Sequence, residues 1–363
     1  MEPWNAVSIS KVFDKLDLSY PRTEKSDAPS FTKQFLASHQ HPMAEKIVKL
    51  RELNKANTTF ITNILKFTHK GRIHAEFHPL RSDDGGTVTG RFSSSNPNLQ
   101  QIPARDPQIK SIIRGLFLPE DGHRWASFDY ASQEPRWLAH YCASISGVHR
   151  HPSIDDVVER YQNDDADFHQ MVADMAGISR KDAKTVNLGI MYGMGVNKMA
   201  GVLDTTVEDA KELLNEYHEK VPFVRGLATM VSNHASENGQ IRTILGRKCR
   251  FPLWEPKTFG IHKPLPLEEA VREHGRTSIK RAFTYKALNR LIQGSSADQT
   301  KKAMLDCYKA GHLPMLQVHD ELCFSINTDD QVEEITGIME NCVDAKVPFK
   351  VDCAIADNWG QVD

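Results

Sequence analysis

The nonapeptide LQVHDELCF, residues 316–324, restricts this chain more than any other stretch. His319, Asp320 and Glu321 stand in a row between apolar residues that otherwise read as buried strand. An ionised carboxylate is costly to bury unless its charge is compensated. Met315, Val318, Leu322, Phe324 and Ile326 suit two short strands that meet at a tight turn holding His319 and Asp320. A second apolar strand, WASFD at 125–129, ends on Asp129. If the strands are neighbours, one sheet edge presents two carboxylates that about half the chain separates in sequence. Paired carboxylates on rigid strands suit Mg²⁺, which takes hard oxygen ligands and leaves other positions to water and phosphates. Two ions so held stabilise the entering and leaving oxygens of an in-line displacement. An Asp–Glu pair by itself is more often a solvated turn, so the reading needs support elsewhere.

Chain-wide properties set the partners that this chemistry could serve. At 363 residues the chain can bury a large core, and length suggests two or three domains. The formal net charge is -2 and the pI near 6.8, so any surface for nucleic acid must be local. Residues 242–290 are locally basic, although a solvated face is the plainer account of them. The six cysteines form no CxxC pair and no metal spacing, which argues for free thiols in a reducing, cytoplasmic setting. The opening MEPWNAVSIS lacks a signal-peptide core, and the uncharged run TVNLGIMYGMGVN is too short to span a bilayer, so no membrane is expected.

Local patterning adds candidates. A helical pattern covers 43–69, and RIHAEFHPL reads as strand. DDGGTVTGRFSSSNPNLQQIP is a long polar loop, and loops of that length in compact proteins are usually functional or disordered. Pro135 suits the first turn of a helix through RWLAHYCA, and a helix near 206–220 is closed by Pro222. Ser179 and Asp182 form a capping box that opens a helix running to about 192. On it Arg180, Lys184 and Leu188 recur at i, i+4 and i+8, so one face runs from cationic to apolar, with Tyr192 at its far end. The cations lie near the helix N-terminus, which already favours anions. That face matches a nucleoside triphosphate laid along it; an amphipathic helix with solvated cations fits the pattern as well. Arg91, Asn98 and Gln100 in the polar loop, and Asn289 and Gln293 one helical turn apart in LNRLIQGSSAD, could meet groove edges or simply local backbone.

Read together, these segments resemble family A DNA polymerases, the DNA polymerase I class. TGRFSSSNPNLQQIP is similar to that family's TGR loop, DYASQEPRWLAH to its motif A, RKDAKTVNLGIMYG to motif B and VHDE to motif C, in the family's order. The resemblance covers most of the chain, from about Ala28 to the C-terminus, and its wording looks closer to phage than to cellular relatives. It implies an α+β right-hand fold: an antiparallel-sheet palm, mostly helical fingers and a partial helical thumb. The thumb would take residues 1–74, the palm 75–145 and 290–363, and the fingers 146–289.

The resemblance also implies roles. Asp129 and Asp320, with the backbone carbonyl of Tyr130, match the metal ligands for two Mg²⁺ ions, for which Mn²⁺ could substitute, and Glu321 a nearby acid. Lys184 matches a proton donor to the leaving pyrophosphate. Arg180, Lys184, Leu188, Tyr192, His169, Glu134 and Gln133 fall among the nucleotide contacts, with Glu134 resembling the steric gate against a ribose 2′-OH. Arg91, Asn98, Gln100, Asn289, Gln293, His319 and Arg136 fall among the contacts to primer-template DNA. The implied activity is template-directed addition of dNTPs to a primer 3′-OH. An inactive polymerase-like DNA-binding subunit and a single-subunit RNA polymerase-like enzyme are the alternatives.

Two departures carry expectations of their own. Leu188 stands where many relatives have Phe or Tyr, so the apolar contact is kept and the flat ring lost. Tyr285 stands where some relatives carry Arg. No 3′–5′ exonuclease domain precedes the polymerase motifs, which leads us to expect a truncation or a split polymerase completed by a separate polypeptide carrying exonuclease and the remaining thumb. For a phage-encoded chain the expected location is the host cytoplasm.

Overall fold

A computed structural model describes residues 2–80, 86–104, 106–163, 167–258, 260 and 262–362. The chain forms two compact units. The first comprises Met1–Glu76, Ser94–Leu118 and Asn358–Gln361. It thus takes in more than the 1–74 segment expected as thumb, recruiting residues assigned above to the palm. Its small core gathers Ile9, Phe13, Phe31, Leu36, Ala44 and Ile47, with the rings of Phe13 and Phe31 4.9 Å apart and edge-on. The helix expected over 43–69 runs as Pro42–Lys55, passes through a π-helical segment Ala56–Ile61, and ends as Thr62–Lys66.

The second unit, Phe77–Ser93, Pro119–Asp357 and Val362–Asp363, holds every residue expected to do chemistry. Its centre is a four-stranded antiparallel sheet of β1 (Arg124–Tyr130), β2 (Leu316–Val318), β3 (Glu321–Ile326) and β4 (Val351–Ala356), in the order β2-β3-β1-β4. Of the two strands expected on either side of the His319–Asp320 turn, β3 therefore lies directly beside the WASFD strand and β2 lies one strand further out. β1 is an inner strand with residues 125–128 buried, and only Asp129, near its C-terminal end, is exposed within its interior.

One face of the sheet packs on helices. Ala126, Phe128 and Tyr130 point into a core shared with Trp137, Phe168, Val186, Tyr217, Ile292 and Met339. Phe128 and Phe324 meet edge-on at 5.5 Å, and the Tyr130 hydroxyl donates to the Met339 carbonyl at 2.7 Å. The helices that matter for the site are α1 (Gln133–Ser144), α2 (Phe168–Ala176), α3 (Arg180–Met191), α4 (Val207–Lys220), α5 (Pro222–Asn238) and α6 (Ala287–Lys309). Pro135 sits in the first turn of α1, where its missing N–H leaves no helical bond unmade. Pro222 does more than end α4: it occupies the first position of α5, so the chain turns directly from one helix into the next. Among the described residues no helix is long and apolar enough to cross a membrane, and all six cysteines are free.

Phe128 is fully buried between the central strand and the helices. We expect Phe128→Ala to cost about 3–5 kcal/mol of stability by urea unfolding, and Phe128→Leu distinctly less, because truncation leaves a cavity that a rigid sheet cannot collapse.

Candidate active site

The site starts from strand register. Asp129 stands directly opposite Glu321 on β3 and Asp352 on β4. Directly opposed residues of antiparallel strands project from the same face with Cβ atoms about 4.5–5.5 Å apart. Three carboxylates therefore form a row across three strands. Val318 pairs with Glu321, which leaves His319 and Asp320 as a two-residue hairpin loop. His319 has φ 55°, the left-handed geometry that such loops demand at their first position. The Gln317 side-chain amide donates to the His319 carbonyl at 2.5 Å and braces the turn.

Burial, with like charge added at Asp129, governs the protonation of Asp129 and Asp320. The Asp129 carboxyl reaches solvent but is hemmed in by protein, and it is pushed up to about 7, first by desolvation and then by the charges of Asp320, Glu321 and Asp352. Asp320 is also raised, by burial, against the opposing pull of its own backbone N–H, Arg91 and His319. These are groups that a cation would return to the carboxylate form.

A second cluster adjoins the carboxylates. Only Ala131 and Ser132 separate β1 from α1, with Ser132 at φ 54°, so Glu134 in the first turn of α1 lies close to the strand end. Arg91 forms a salt bridge with one oxygen of Glu134, while the Tyr192 hydroxyl donates to the other at 2.9 Å. Gln293 of α6 hydrogen-bonds Tyr192, whose phenol is pushed up by burial and by the Glu134 charge. The TGR loop, motif A helix, α3 end and α6 thus meet on one carboxylate.

Along α3, the Ser179 hydroxyl accepts from the Asp182 N–H at 3.1 Å, the cap expected from sequence. Arg180 and Lys184 are exposed and Leu188 is half-buried. Arg180 donates to Asp167 at 2.7 Å. Burial opposes ionisation of Asp167, yet the Arg180 hydrogen bond and the N–H groups of Gln170 and His169 hold its carboxyl below the usual range. His169 is buried, with its Nδ1 3.1 Å from the Asn187 amide nitrogen, and desolvation lowers its pKa. Asn187 in turn accepts from the buried Tyr217 hydroxyl.

Several candidates sit apart from these clusters. Gln133 is 2% exposed, and its amide contacts Gln299 Oε1 at 3.0 Å, Thr300 Oγ1 at 3.2 Å and the Ser296 carbonyl at 3.3 Å, so it is held in the interior and does not face nucleotide here. Arg136 is equally buried: it donates to the Ala131 and Pro348 carbonyls at 2.8 and 2.7 Å and stacks over Tyr161. Asn98 caps the short helix Leu99–Gln101 by accepting from the Gln100 N–H at 3.1 Å; both residues belong to the first unit. The Tyr130 side chain lies in the core, leaving only its main chain at the strand end. Asn289 and Gln293 are half-buried one turn apart on α6, and His319 is exposed at the hairpin tip. Asp352 was missed. Its strand, VDCAIA, shows nothing unusual until its pairing with β1 is known.

Among the described residues no three His, Cys, Asp or Glu side chains close a metal cage. The donor set is instead an open group of hard carboxylate oxygens with unfavourable mutual charge, which suits divalent cations that keep water and phosphate ligands. The antiparallel sheet carrying this row is tied through Glu134 and Tyr192 to a helix with exposed cations. This chain belongs to DNA polymerase family A, whose model it matches over residues 9–361. A DNA-directed DNA polymerase of Pseudomonas phage M6 is 35% identical over 98% of the chain and 57% of the relative. The thermostable DNA polymerase I of Thermus aquaticus is 30% identical over 96% of the chain and 40% of the relative. The POL domain of Pol1 from M. smegmatis, solved in complex with DNA primer-template and dNTP, superposes with a TM-score of 0.75 at 25% identity, over all of this chain and 62% of that one. The chain spans about half the length of the curated relatives it matches.

The raised carboxyls make a prediction for the metal-free protein. Between 3.8 and about 7 the folded Asp129 binds more proton than the unfolded one, so its contribution to stability falls as pH rises through that window. Asp129→Asn removes the penalty. In EDTA near neutral pH it should melt higher than the parent, by on the order of 1 kcal/mol after allowance for solvent screening. A lower melting temperature would contradict the charge crowding described here.

Proposed function

We propose that the chain catalyses template-directed addition of deoxynucleotides to a primer 3′-OH. The observation that carries this reading is the meeting of Asp129 and Asp320, far apart in sequence, at one edge of the sheet. In this reading Asp129 and Asp320, with the Tyr130 carbonyl, hold two Mg²⁺ ions and Glu321 lies alongside. Once bound, the ions supply charge neutralisation at the attacking and leaving oxygens. Arg180 and Lys184 grip the triphosphate, and Arg180 trades its Asp167 partner for phosphate or shares it. His169, neutral because buried, donates to a phosphate oxygen.

The primer 3′-OH gives its proton to water as its oxygen bonds the α-phosphorus and the bond to the diphosphate breaks, and Lys184 gives a proton to the departing group. Leu188 and Tyr192 pack against base and sugar. Glu134, gripped from two sides, fills the space a 2′-OH would need, which favours the DNA reading over an RNA polymerase. Arg91, His319, Asn289 and Gln293 contact the primer terminus and the duplex groove. Catalysis is then mostly positioning and electrostatics.

Primer extension with dNTPs and Mg²⁺ tests the proposal. Asp320→Asn should lower the rate more than about a hundredfold while leaving duplex affinity largely intact; undiminished extension would refute the assignment. Glu134→Ala should raise rNTP use relative to dNTP, which competition on one primed template reads directly. Leu188→Phe should change discrimination between deoxy- and dideoxynucleotides, and identical selectivity would show that the ring is irrelevant here.

A further inference from the structure

The TGR loop is held by a few internal hydrogen bonds, such as Gly90 N–H to the Thr87 carbonyl at 3.3 Å, and by contacts from outside it. Residues 86–92 contain two glycines and lack regular structure, yet Arg91 reaches Glu134 and lies near enough to Asp320 to oppose the rise in its pKa. From outside, the loop is anchored most firmly by Arg247, a residue of the basic stretch 242–290. Arg247 donates from Nε to Asp298 at 2.6 Å, and from a terminal nitrogen to the Thr89 carbonyl at 2.7 Å and the Gly294 carbonyl at 3.0 Å. Asp298 is 6% exposed and also accepts from the Thr243 hydroxyl. Arg247 therefore ties the loop, α6 and its own turn, which joins the strands Gln240–Arg242 and Lys248–Arg250, together around one buried carboxylate.

The glycines match this arrangement. A Cβ on Gly90 would stand 2.5 Å from the Arg247 guanidinium carbon, and Gly90 has φ 84° besides. A Cβ on Gly294 would stand 2.7 Å from Thr243 and 3.1 Å from Arg247. A side chain at Gly90 would push the guanidinium out of its place, and one at Gly294 would crowd Thr243 first and the guanidinium next. Within the loop, the Thr87 hydroxyl donates to the Arg91 carbonyl at 2.9 Å, so the Thr89 anchor is passed on to the residue that meets Glu134.

We infer that Arg247, oriented by Asp298 and Thr243, is a positioning residue that sets where Arg91 meets Glu134, and so governs sugar discrimination and use of the primer terminus. Arg247 touches neither nucleotide nor carboxylate row; it acts through Arg91. The inference deepens the polymerase reading and rests on it. Lysine at 247 keeps the charge but loses the planar fork that serves Asp298 and two carbonyls at once.

The test is a double-mutant cycle on the full chain, with single-nucleotide kcat/KM for dNTP and rNTP and melting temperature as readouts. Arg247→Lys should lower kcat/KM for dNTP about tenfold to a hundredfold and shift the dNTP-to-rNTP ratio in the same direction as Arg91→Ala. Once Arg91 is alanine, adding Arg247→Lys should cost less than about twofold. Gly90→Ala should reproduce the Arg247→Lys ratio. Equal losses in both backgrounds, or an unchanged sugar ratio, would overturn the inference and reduce Arg247 to a stabilising contact. A parent chain that fails to extend primers would instead sink the polymerase reading.

Discussion

Mutual repulsion among carboxylates is the constraint around which this protein is built. Glu321, Asp129 and Asp352 lie side by side on adjacent strands, with Asp320 at the next turn. No folded chain gathers such groups for its own stability, since Asp320, Glu321 and Asp352 all raise the cost of ionising Asp129. The surrounding structure supplies what holds them there. β1 is packed on both faces, its Phe128 locked against Phe324 and its Tyr130 hydroxyl bonded to the Met339 carbonyl. The rigid floor keeps the charges together, and a cation relieves them.

Much of this layout can be read from residues. The alternation around His319–Asp320 identifies a hairpin because a two-residue turn is the only economical way to join strands of that pattern. The Ser179 cap and the four-residue spacing of Arg180, Lys184 and Leu188 identify α3 and its exposed cationic face. What escapes is whatever depends on pairing between distant segments. Asp352 gains meaning only from its position opposite Asp129. Gln133 and Arg136 are polar residues in a motif, yet their hydrogen bonds run to Gln299, Thr300, Ala131 and Pro348, partners no local pattern specifies. Asn98 is likewise consumed by a cap three residues long.

Glu134 shows how such distant segments are joined. Its two oxygens answer to Arg91 and Tyr192, and Tyr192 answers to Gln293. Four stretches of chain thereby converge on one small carboxylate, and a displacement of any of them is felt by the rest. Networks of this kind in a weakly solvated cleft act as units, so their members resist separate accounting.

Strand order has a consequence for how the molecule is made. Both neighbours of β1 come from the last fifth of the chain, beginning at Glu321 and Val351. On the ribosome, at about 5–20 residues per second, the strand bearing Asp129 waits on the order of ten seconds or more for its partners. Throughout that interval Trp125, Ala126 and Phe128 are a nascent apolar ribbon with open edges. Helical segments emerging meanwhile can shelter it, and the sheet at the centre of the unit is complete only when the last strand, Val351–Ala356, arrives.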